Sequence, residues 1–286
     1  MKNLRNRWQV AMLFFVSCIA SAQLPDGVTA TQSFIDTVIV NYTRENSIPF
    51  DINTNEPAVT LPLNINIIMN RKGLAGVTQS DIIYSVALAN SYFRNAGIQF
   101  YIDTIAYVSD YNYSFITYNN LRNELLTSHA ISNRINIFYA DSIKMGASAC
   151  YGFTYFPDEP DSNYIFLDKD YASGNSLTTM LGHYMGLLST HDTTGGRELV
   201  NEENCSASGD FICDTYADPD LFNQVIDSCR YIGNMRDETG IYYIPSVANI
   251  MSASPDKCRC ILTPLQHRRI YYYYHKYRHY IEKKQD

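Results

Sequence analysis

The feature that most constrains this chain is how the spacing of its apolar residues changes between residues 61 and 167. Apolar and polar side chains alternate over residues 61–67, which predicts a half-buried strand. Over residues 82–93 the apolar side chains recur every three or four positions, which predicts a helix with Thr78 as its N-cap and Gly97 at its end. The same reasoning predicts a second helix around Leu125 and further strands at residues 98–102, 135–139 and 164–167. Strands and helices that alternate at these lengths predict an α/β fold with a twisted, mostly parallel sheet.

The remainder of the chain has a different character. One helix is predicted after Leu177, and an acidic, cysteine-bearing stretch without periodicity follows over residues 192–245. A final helix is predicted by Thr263 as its N-cap, Pro264 at its first position and Gln266 three residues after the cap. We therefore expect a loop-rich C-terminal part that ends in a helix.

The first residues have the pattern of an export signal. Basic residues precede a short apolar run, and small residues at 20–22 supply a signal-peptidase site. This predicts a signal peptide at 1–22, an N-terminal arm or short pro-like segment without helical period at 23–58, and one folded domain at 59–286. The protein is then secreted, periplasmic or part of the cell envelope. It is not transmembrane, because the apolar run is too short for a span and no later segment comes close.

A second interpretation takes Phe15-Val16-Ser17-Cys18 as a lipoprotein box with an acylated Cys18. We favour the signal peptide, because Phe15 stands where such boxes usually carry Leu and a good cleavage site follows. The removed segment holds three basic residues and no acidic one, so the net charge becomes −7 − 3 = −10. Such a charge argues against nucleic acid and against an anionic membrane surface as partners.

Six cysteines remain without Cys18: Cys150, Cys205, Cys213, Cys229, Cys258 and Cys260. An even number behind an export signal predicts disulfides, and six cysteines allow 15 pairings. A structural zinc site is the alternative. However, the chain has no Cys-x-x-Cys pair, and the spacing of Cys258 and Cys260 is too tight for a zinc knuckle.

Several motifs follow one another in an order that is typical of one family. The helix around His183 is followed by a cysteine-bearing loop with Gly209-Asp210, by Asn249-Ile250-Met251 with a trailing cysteine, and by the Thr263-Pro264 helix start. Residues 92–100 and 152–157 fit the same order upstream. Over residues 61–281 the chain resembles the metzincin zinc peptidases, specifically the pappalysin-like family. The resemblance implies a zincin fold with a peptide-binding cleft.

In that family a helix with the pattern His-Glu-x-x-His-x-x-Gly-x-x-His binds zinc. Two histidines one turn apart point at the metal, a glycine turns the chain, and a third histidine comes from the loop. The Glu takes a proton from the metal-bound water. The resemblance places Thr179 at the first ligand position, Met180 at the base, His183 at the second ligand, Gly186 at the turn and Ser189 at the third ligand.

The same resemblance places Met251 at the methionine of the Met-turn. It places Ala253 where the family carries a tyrosine that stabilises the transition state. Scaffold positions are therefore kept while chemical positions are lost, which implies a pseudopeptidase without catalytic residues. The hydroxyls of Thr179 and Ser189 are poor zinc ligands, and Met180 accepts no proton.

Zinc binding is expected to be weak or absent. His183 is left as one residual ligand, and a structural role in its helix explains it more simply. His191 or Asp192 at the third position would still leave two imidazoles and no base. Calcium is a further possibility, because such loops bind it in the family, although a solvated acidic loop fits the spacing equally well. The acidic residues are Glu198, Glu202, Glu203, Asp210, Asp214, Asp218 and Asp220.

The disulfide pairing implied by the resemblance joins Cys205 to Cys229 and Cys213 to Cys258. Cys150 and Cys260 are then left to pair with each other.

These observations favour an exported, catalytically inactive peptidase homologue that binds a peptide or protein ligand. One alternative is a zinc-dependent metalloendopeptidase with an atypical metal site. A second is a structural module of the cell envelope.

Overall fold

The computed structural model describes residues 24–47, 59–117, 122–158 and 163–281. The predicted signal peptide at 1–22, including Cys18, lies outside the described residues. So does the end of the predicted arm, at 48–58.

Five α-helices and ten strands are assigned within these ranges. The helices are α1 (Gln32–Ser47), α2 (Gln79–Phe93), α3 (Arg122–His129), α4 (Ser176–Tyr184) and α5 (Pro264–Tyr273). The strands are β1 (Val59–Ile68), β2 (Ile98–Val108), β3 (Phe115–Thr117), β4 (Ile135–Ala140), β5 (Ser142–Met145), β6 (Ser148–Cys150), β7 (Gly152–Thr154), β8 (Tyr164–Asp168), β9 (Val225–Ile226) and β10 (Arg230–Tyr231).

The main sheet has the strand order β2-β1-β4-β8-β7. Its first four strands run parallel, and β7 pairs antiparallel with β8 at one edge. The prediction of an α/β fold with a mostly parallel sheet is confirmed. A second sheet, β3-β5-β6, and the β9-β10 hairpin lie beside it.

Strand β1 is buried on both faces, whereas alternation predicted a half-buried strand. The polar residues that produced the alternation are buried as well. Asn64 donates to the side chain of Asn136 on β4 over 2.8 Å and accepts from Thr104 on β2. Asn64 is thus satisfied inside the sheet. The amide nitrogen of Asn66 is also buried but lacks a hydrogen-bond partner in the described part of the chain.

Helices α2 and α5 begin where the sequence predicts. Thr78 and Asp81 form a reciprocal capping box at α2, and Thr263 and Gln266 form another at α5. Helix α2 packs against α4, and both helices contribute to the main hydrophobic core. The cap at Thr78 therefore sets where the helix that supports α4 begins.

Helix α1 contradicts the prediction that residues 23–58 have no helical period. Its buried residues, Phe34, Ile35, Val38, Asn41 and Glu45, do follow helical spacing. Two of these five are polar, and Ile39 and Val40 are exposed on the opposite side. The sequence therefore shows no clear apolar periodicity here, because part of the buried face of the helix consists of polar residues.

A buried ion pair holds α1 to α5. The Arg269 Nε atom lies 2.9 Å from Glu45 Oε1, and both side chains are almost completely buried. Arg269 also donates to the carbonyl oxygens of Asp210 and Phe211. The ring of Phe34 stacks on Phe156 with a centroid distance of 4.1 Å. Within the described residues, α1 therefore packs into the core of the domain.

The disulfides differ from the implied pairing. Cys205 bonds to Cys213, and Cys229 bonds to Cys258. The predicted Cys205–Cys229 and Cys213–Cys258 bonds are wrong, because the loop from 205 to 213 turns back on itself and brings its ends to a Cα distance of 5.0 Å.

The predicted Cys150–Cys260 bond is wrong as well. Both thiols are free: Cys150 is buried on β6, and Cys260 is exposed. Burial raises the pKa of the Cys150 thiol to about 12, so it stays protonated. Pairing by elimination failed because these two cysteines face different environments.

No helix in the described part of the chain is long and apolar enough to cross a membrane.

The ion pair predicts a large effect of one charge. Glu45→Gln leaves the buried Arg269 without its counter-charge, so we expect a loss of about 3–5 kcal/mol in the free energy of unfolding. Asp36→Asn on the exposed face of the same helix is the control and should change it by less than about 0.5 kcal/mol. Urea unfolding followed by circular dichroism measures both. Equal effects of the two substitutions would contradict a structural role for α1.

Candidate functional site

Helix α4 carries Thr179, Met180 and His183, which the resemblance places at the first ligand, the base and the second ligand of the motif. All three lie inside the core. All nine residues of α4 are buried. The chain then turns at Gly186, whose φ of +91° lies in the left-handed region. A Cβ atom there would also lie 2.7 Å from the ring of Tyr273. Only glycine fits this turn, which leads the chain towards Ser189.

Thr179, at the first ligand position that the resemblance assigns, has its hydroxyl engaged in hydrogen bonds. The Thr179 hydroxyl lies 3.1 Å from the Ile250 carbonyl oxygen, and Arg259 Nη1 donates to it over 2.8 Å. Arg259 also donates to Ile250 O and, through Nη2, to Asp256 Oδ1 at 2.8 Å. A buried guanidinium group thus lies against the position from which a histidine would hold zinc.

This arrangement does not fit a zinc ion. Arginine stays positively charged at all ordinary pH values, so its charge would repel the metal. The Thr179 hydroxyl is already engaged by Arg259. Within the described ranges, no group of three His, Cys, Asp or Glu side chains is placed to hold a metal ion.

The general base and the Met-turn positions are packed as core. Met180 and Met251 are buried, and Met251 lies under α4 at Gly182, where a Cβ atom would be 2.6 Å from the Met251 sulfur. Asn249 fixes the turn, since its side chain accepts from the Met251 backbone N–H over 2.8 Å and donates to Gln266 on α5. These residues support the site but supply no acid–base group.

The N-terminal residues 24–28, which we call the arm segment, lie along the edge of the main sheet. The backbone N–H of Tyr151 donates to Pro25 O over 2.9 Å, and Gly27 N–H donates to Gly152 O over 2.8 Å. The backbone N–H of Leu24 donates to the hydroxyl of Tyr171. The arm segment therefore adds a short stretch of extended chain next to β7.

A cavity of about 260 Å³ lies beside the arm segment. It is bordered by the arm segment and by Tyr151, His191, Ala253 and Arg259, among others. Ala253 lines the wall without a polar group, so the position of the family's tyrosine contributes only a methyl group here.

Asp26 of the arm segment points at His183. The Asp26 Oδ2 and His183 Nε2 atoms are 3.7 Å apart, which is too long for a hydrogen bond but within ion-pair distance. His183 Nδ1 lies 2.8 Å from the Leu187 carbonyl oxygen, which can only accept. The ring therefore has a second proton for Asp26 only as an imidazolium.

The surroundings favour the charged form of Asp26. Burial raises the pKa of its carboxyl group, but the facing His183 ring and the charge of His191 outweigh burial. The pKa of Asp26 therefore lies below its ordinary value. The site carries a buried carboxylate from the arm beside two histidines.

His191 and Asp192 do not complete a metal site. His191 borders the cavity and acts electrostatically on Asp26 and on Asp218. Asp192 accepts from the backbone N–H of Thr194 and so serves the turn of its own loop.

Two of the seven acidic residues are buried without sufficient partners. Both carboxyl oxygens of Glu198 and the Oδ2 atom of Asp210 lack a hydrogen-bond partner within the described part of the chain. Burial, followed by the neighbouring negative charges of Asp210, Glu202 and Asp218, raises the pKa of Glu198 to about 9. Burial raises the pKa of Asp210 to about 7. This pair therefore leaves three buried carboxyl oxygens without a hydrogen-bond partner among the described residues.

The other acidic residues have different surroundings. Asp214 accepts from the Thr263 hydroxyl and from the Leu265 backbone at the start of α5. Asp218 accepts from the Thr190 hydroxyl. The remaining residues are on the surface, and they are Glu202, Glu203 and Asp220.

Comparison with known proteins gives structural matches only. No family model and no curated protein matches the sequence. A mutant of promirolysin from Tannerella forsythia matches with a TM-score of 0.57 and 13% identity, over 90% of this chain and 97% of that chain. The fold is that of a metzincin-type metallopeptidase.

Two further structures agree. Mirolysin in complex with compound 9 matches with a TM-score of 0.59 and 16% identity, over 78% of this chain and 96% of that one. Mature Tannerella forsythia mirolysin in complex with a cleaved peptide matches with a TM-score of 0.51 and 16% identity, over 76% and 91%. At these identities the matches show the metzincin-type fold and leave the pappalysin-like assignment as a prediction.

Arg259 and Asp26 were missed by sequence analysis. Arg259 stands between two cysteines, and Asp26 lies in a Pro-Asp-Gly sequence near the N-terminus, so neither belongs to the helix motif. Both reach the site through contacts between residues far apart in the chain.

Because Arg259 lies against Thr179, we expect that histidines introduced at positions 179 and 189 do not suffice for zinc binding. Thr179→His with Ser189→His should gain little affinity while the guanidinium stays. Adding Arg259→Met removes the repelling charge and should raise the zinc affinity by at least about tenfold, or ~1.4 kcal/mol. Isothermal titration calorimetry measures the affinities.

The control is Lys257→Met in the double-histidine background, since Lys257 is an exposed cation on the same turn. It should leave the affinity unchanged. If the double variant already binds zinc as well as the triple variant, Arg259 does not oppose the metal.

Proposed function

We propose that this protein is an exported, non-catalytic peptide-binding protein built on a metzincin-type fold. The loss of chemistry is supported by Arg259, which engages the first ligand position, and by Met180, which cannot act as a base. Export is supported by the N-terminal signal pattern and by the two disulfides, since such bonds persist in oxidising compartments.

The observation that carries peptide binding is the docking of the arm segment. Two backbone hydrogen bonds join it to Tyr151 and Gly152, next to edge strand β7. An edge strand has unpaired backbone groups that recognise an extended peptide without regard to its sequence. The arm segment thus acts as an intramolecular peptide in the cleft, and a ligand of similar backbone geometry would take its place.

Helix α1 tethers the arm segment, which competes with a peptide ligand, to the domain. The arm segment leads directly into α1, which Glu45 and Phe34 anchor to the domain. A tethered occupant has a high effective concentration at the cleft. A peptide ligand therefore has to compete with residues 24–28 while α1 remains docked.

Gly27 offers a way to test this competition. A Cβ atom on Gly27 would lie 2.6 Å from Met145 Cγ and 2.7 Å from Cys150 Sγ, so a side chain there pushes the arm segment off the sheet edge. We expect Gly27→Val to raise the affinity for extended peptides by about tenfold, or ~1.4 kcal/mol. Fluorescence anisotropy against a panel of labelled peptides measures the affinity.

Asp36→Asn is the control, because Asp36 is exposed on the helix that follows the arm segment. It should bind peptides as the natural protein does. Mass spectrometry of the same mixtures should detect no cleavage, and metal analysis should detect no stoichiometric zinc. Cleavage, or binding that Gly27→Val leaves unchanged, would refute the proposal.

We also propose that the buried pair Glu198 and Asp210 holds a calcium ion. Three of their carboxyl oxygens are buried without partners in the described part of the chain, and hard cations prefer oxygen ligands. Two carboxylates are fewer than calcium requires, so backbone carbonyl oxygens or water would supply the rest. Binding of the ion would displace the protons that the raised pKa values keep on these carboxyl groups.

Calcium should therefore stabilise the protein. We expect the Tm in differential scanning calorimetry to be higher in calcium than in a chelator, because a ligand that binds only the folded state stabilises it. Glu198→Gln should abolish the difference, whereas Glu203→Gln, an exposed acid in the same loop, should preserve it. A Tm that is independent of calcium would rule out the site.

A further inference from the structure

The contacts of Asp26 go beyond what backbone docking requires. Its carboxylate lies 3.7 Å from His183 Nε2 and close enough to His191 for their charges to interact. The arm segment thus brings one acidic side chain to a specific place in the cleft, beyond the two backbone hydrogen bonds.

The site holds three buried nitrogen atoms that no hydrogen bond engages in the described part of the chain. His183 Nε2, His191 Nδ1 and Arg259 Nε are buried and lack a hydrogen-bond partner there. His183 and Arg259 are more than nine-tenths buried, and His191 and Arg259 border the same cavity as Asp26. Unsatisfied buried nitrogen atoms are costly, so a ligand that satisfies them is favoured.

Other charges at the cavity have partners or are solvated. Arg259 pairs with Asp256, and Asp218, which interacts with His191, accepts from Thr190. Asp220 is exposed at the rim. His183 Nε2 faces the Asp26 carboxylate at 3.7 Å, and a carboxylate accepts hydrogen bonds without donating any.

We propose that the cleft selects peptides with an acidic side chain at the position now taken by Asp26, with His183 and His191 as its recognition residues. This inference rests on the proposed function. The position of the family's zinc site has become a carboxylate pocket, and its ligands are short extended peptides that carry Asp or Glu.

The test uses the full-length Gly27→Val protein and a fluorescein-labelled hexapeptide, Leu-Pro-Asp-Gly-Val-Thr, which copies residues 24–29. Its partner probe carries Asn in place of Asp, with the same shape but no charge. We expect the Asp peptide to bind at least about tenfold more tightly, or ~1.4 kcal/mol. His191→Gln should reduce that ratio while the Asn peptide keeps its affinity.

The outcomes separate the two proposals. If both peptides bind equally well, the carboxylate pocket is refuted and peptide binding stands. If neither binds a variant that calorimetry shows to be folded, peptide binding itself fails, and the pocket fails with it.

A second measurement avoids the Gly27 substitution. In Asp26→Asn, the backbone N–H of Gly27 should exchange with deuterium faster, because the arm segment loses its charged contact. Asp36→Asn, the same change at an exposed position of α1, should leave that rate unchanged. Exchange at the natural rate in Asp26→Asn would show that the carboxylate does not hold the arm and would overturn the proposal.

Discussion

The guanidinium group of Arg259 is the contact on which the site depends. It joins helix α4 through Thr179 to the Met-turn through the Ile250 carbonyl oxygen, and it pairs with Asp256. Asp256 in turn accepts from the backbone N–H of Asn175, at the start of α4. A metal ion in a zincin draws together a helix and a loop from different parts of the chain. Here one buried arginine connects α4 with the segments around Ile250 and Asp256.

The N-terminal residues extend this arrangement to the cleft. Helix α1 is fixed by Glu45 to Arg269, and Arg269 is bonded to the loop that carries Asp210 and Phe211. The arm segment that precedes α1 reaches the sheet edge beside β7. A few buried polar contacts therefore link the cavity, helix α1, helix α5 and the acidic loop. Each of these elements constrains the position of the next.

The sequence predicted those elements whose signals are local. The helix starts at Thr78 and Thr263 and the mostly parallel sheet follow from caps and periodicity, and each is found. Helix α1 was missed because Asn41 and Glu45 lie on its buried face. The disulfides were missed because cysteine parity carries no information on which thiols meet. Arg259 and Asp26 could not be identified as site residues from the sequence, because their role depends on contacts between distant segments and not on any motif.

The close approach of Gly27 to the sheet edge has a consequence for how such a protein evolves. When a binding site is open for only a fraction of the time, the apparent dissociation constant equals the intrinsic one divided by that fraction. In the proposed peptide-binding protein, changes in the arm segment would alter the open fraction and so shift the ligand concentration at which it responds. The proposed recognition residues, on α4 and in the loop after it, would be untouched by such changes. Sensitivity and selectivity would then be encoded in separate stretches of the chain and would be free to diverge independently.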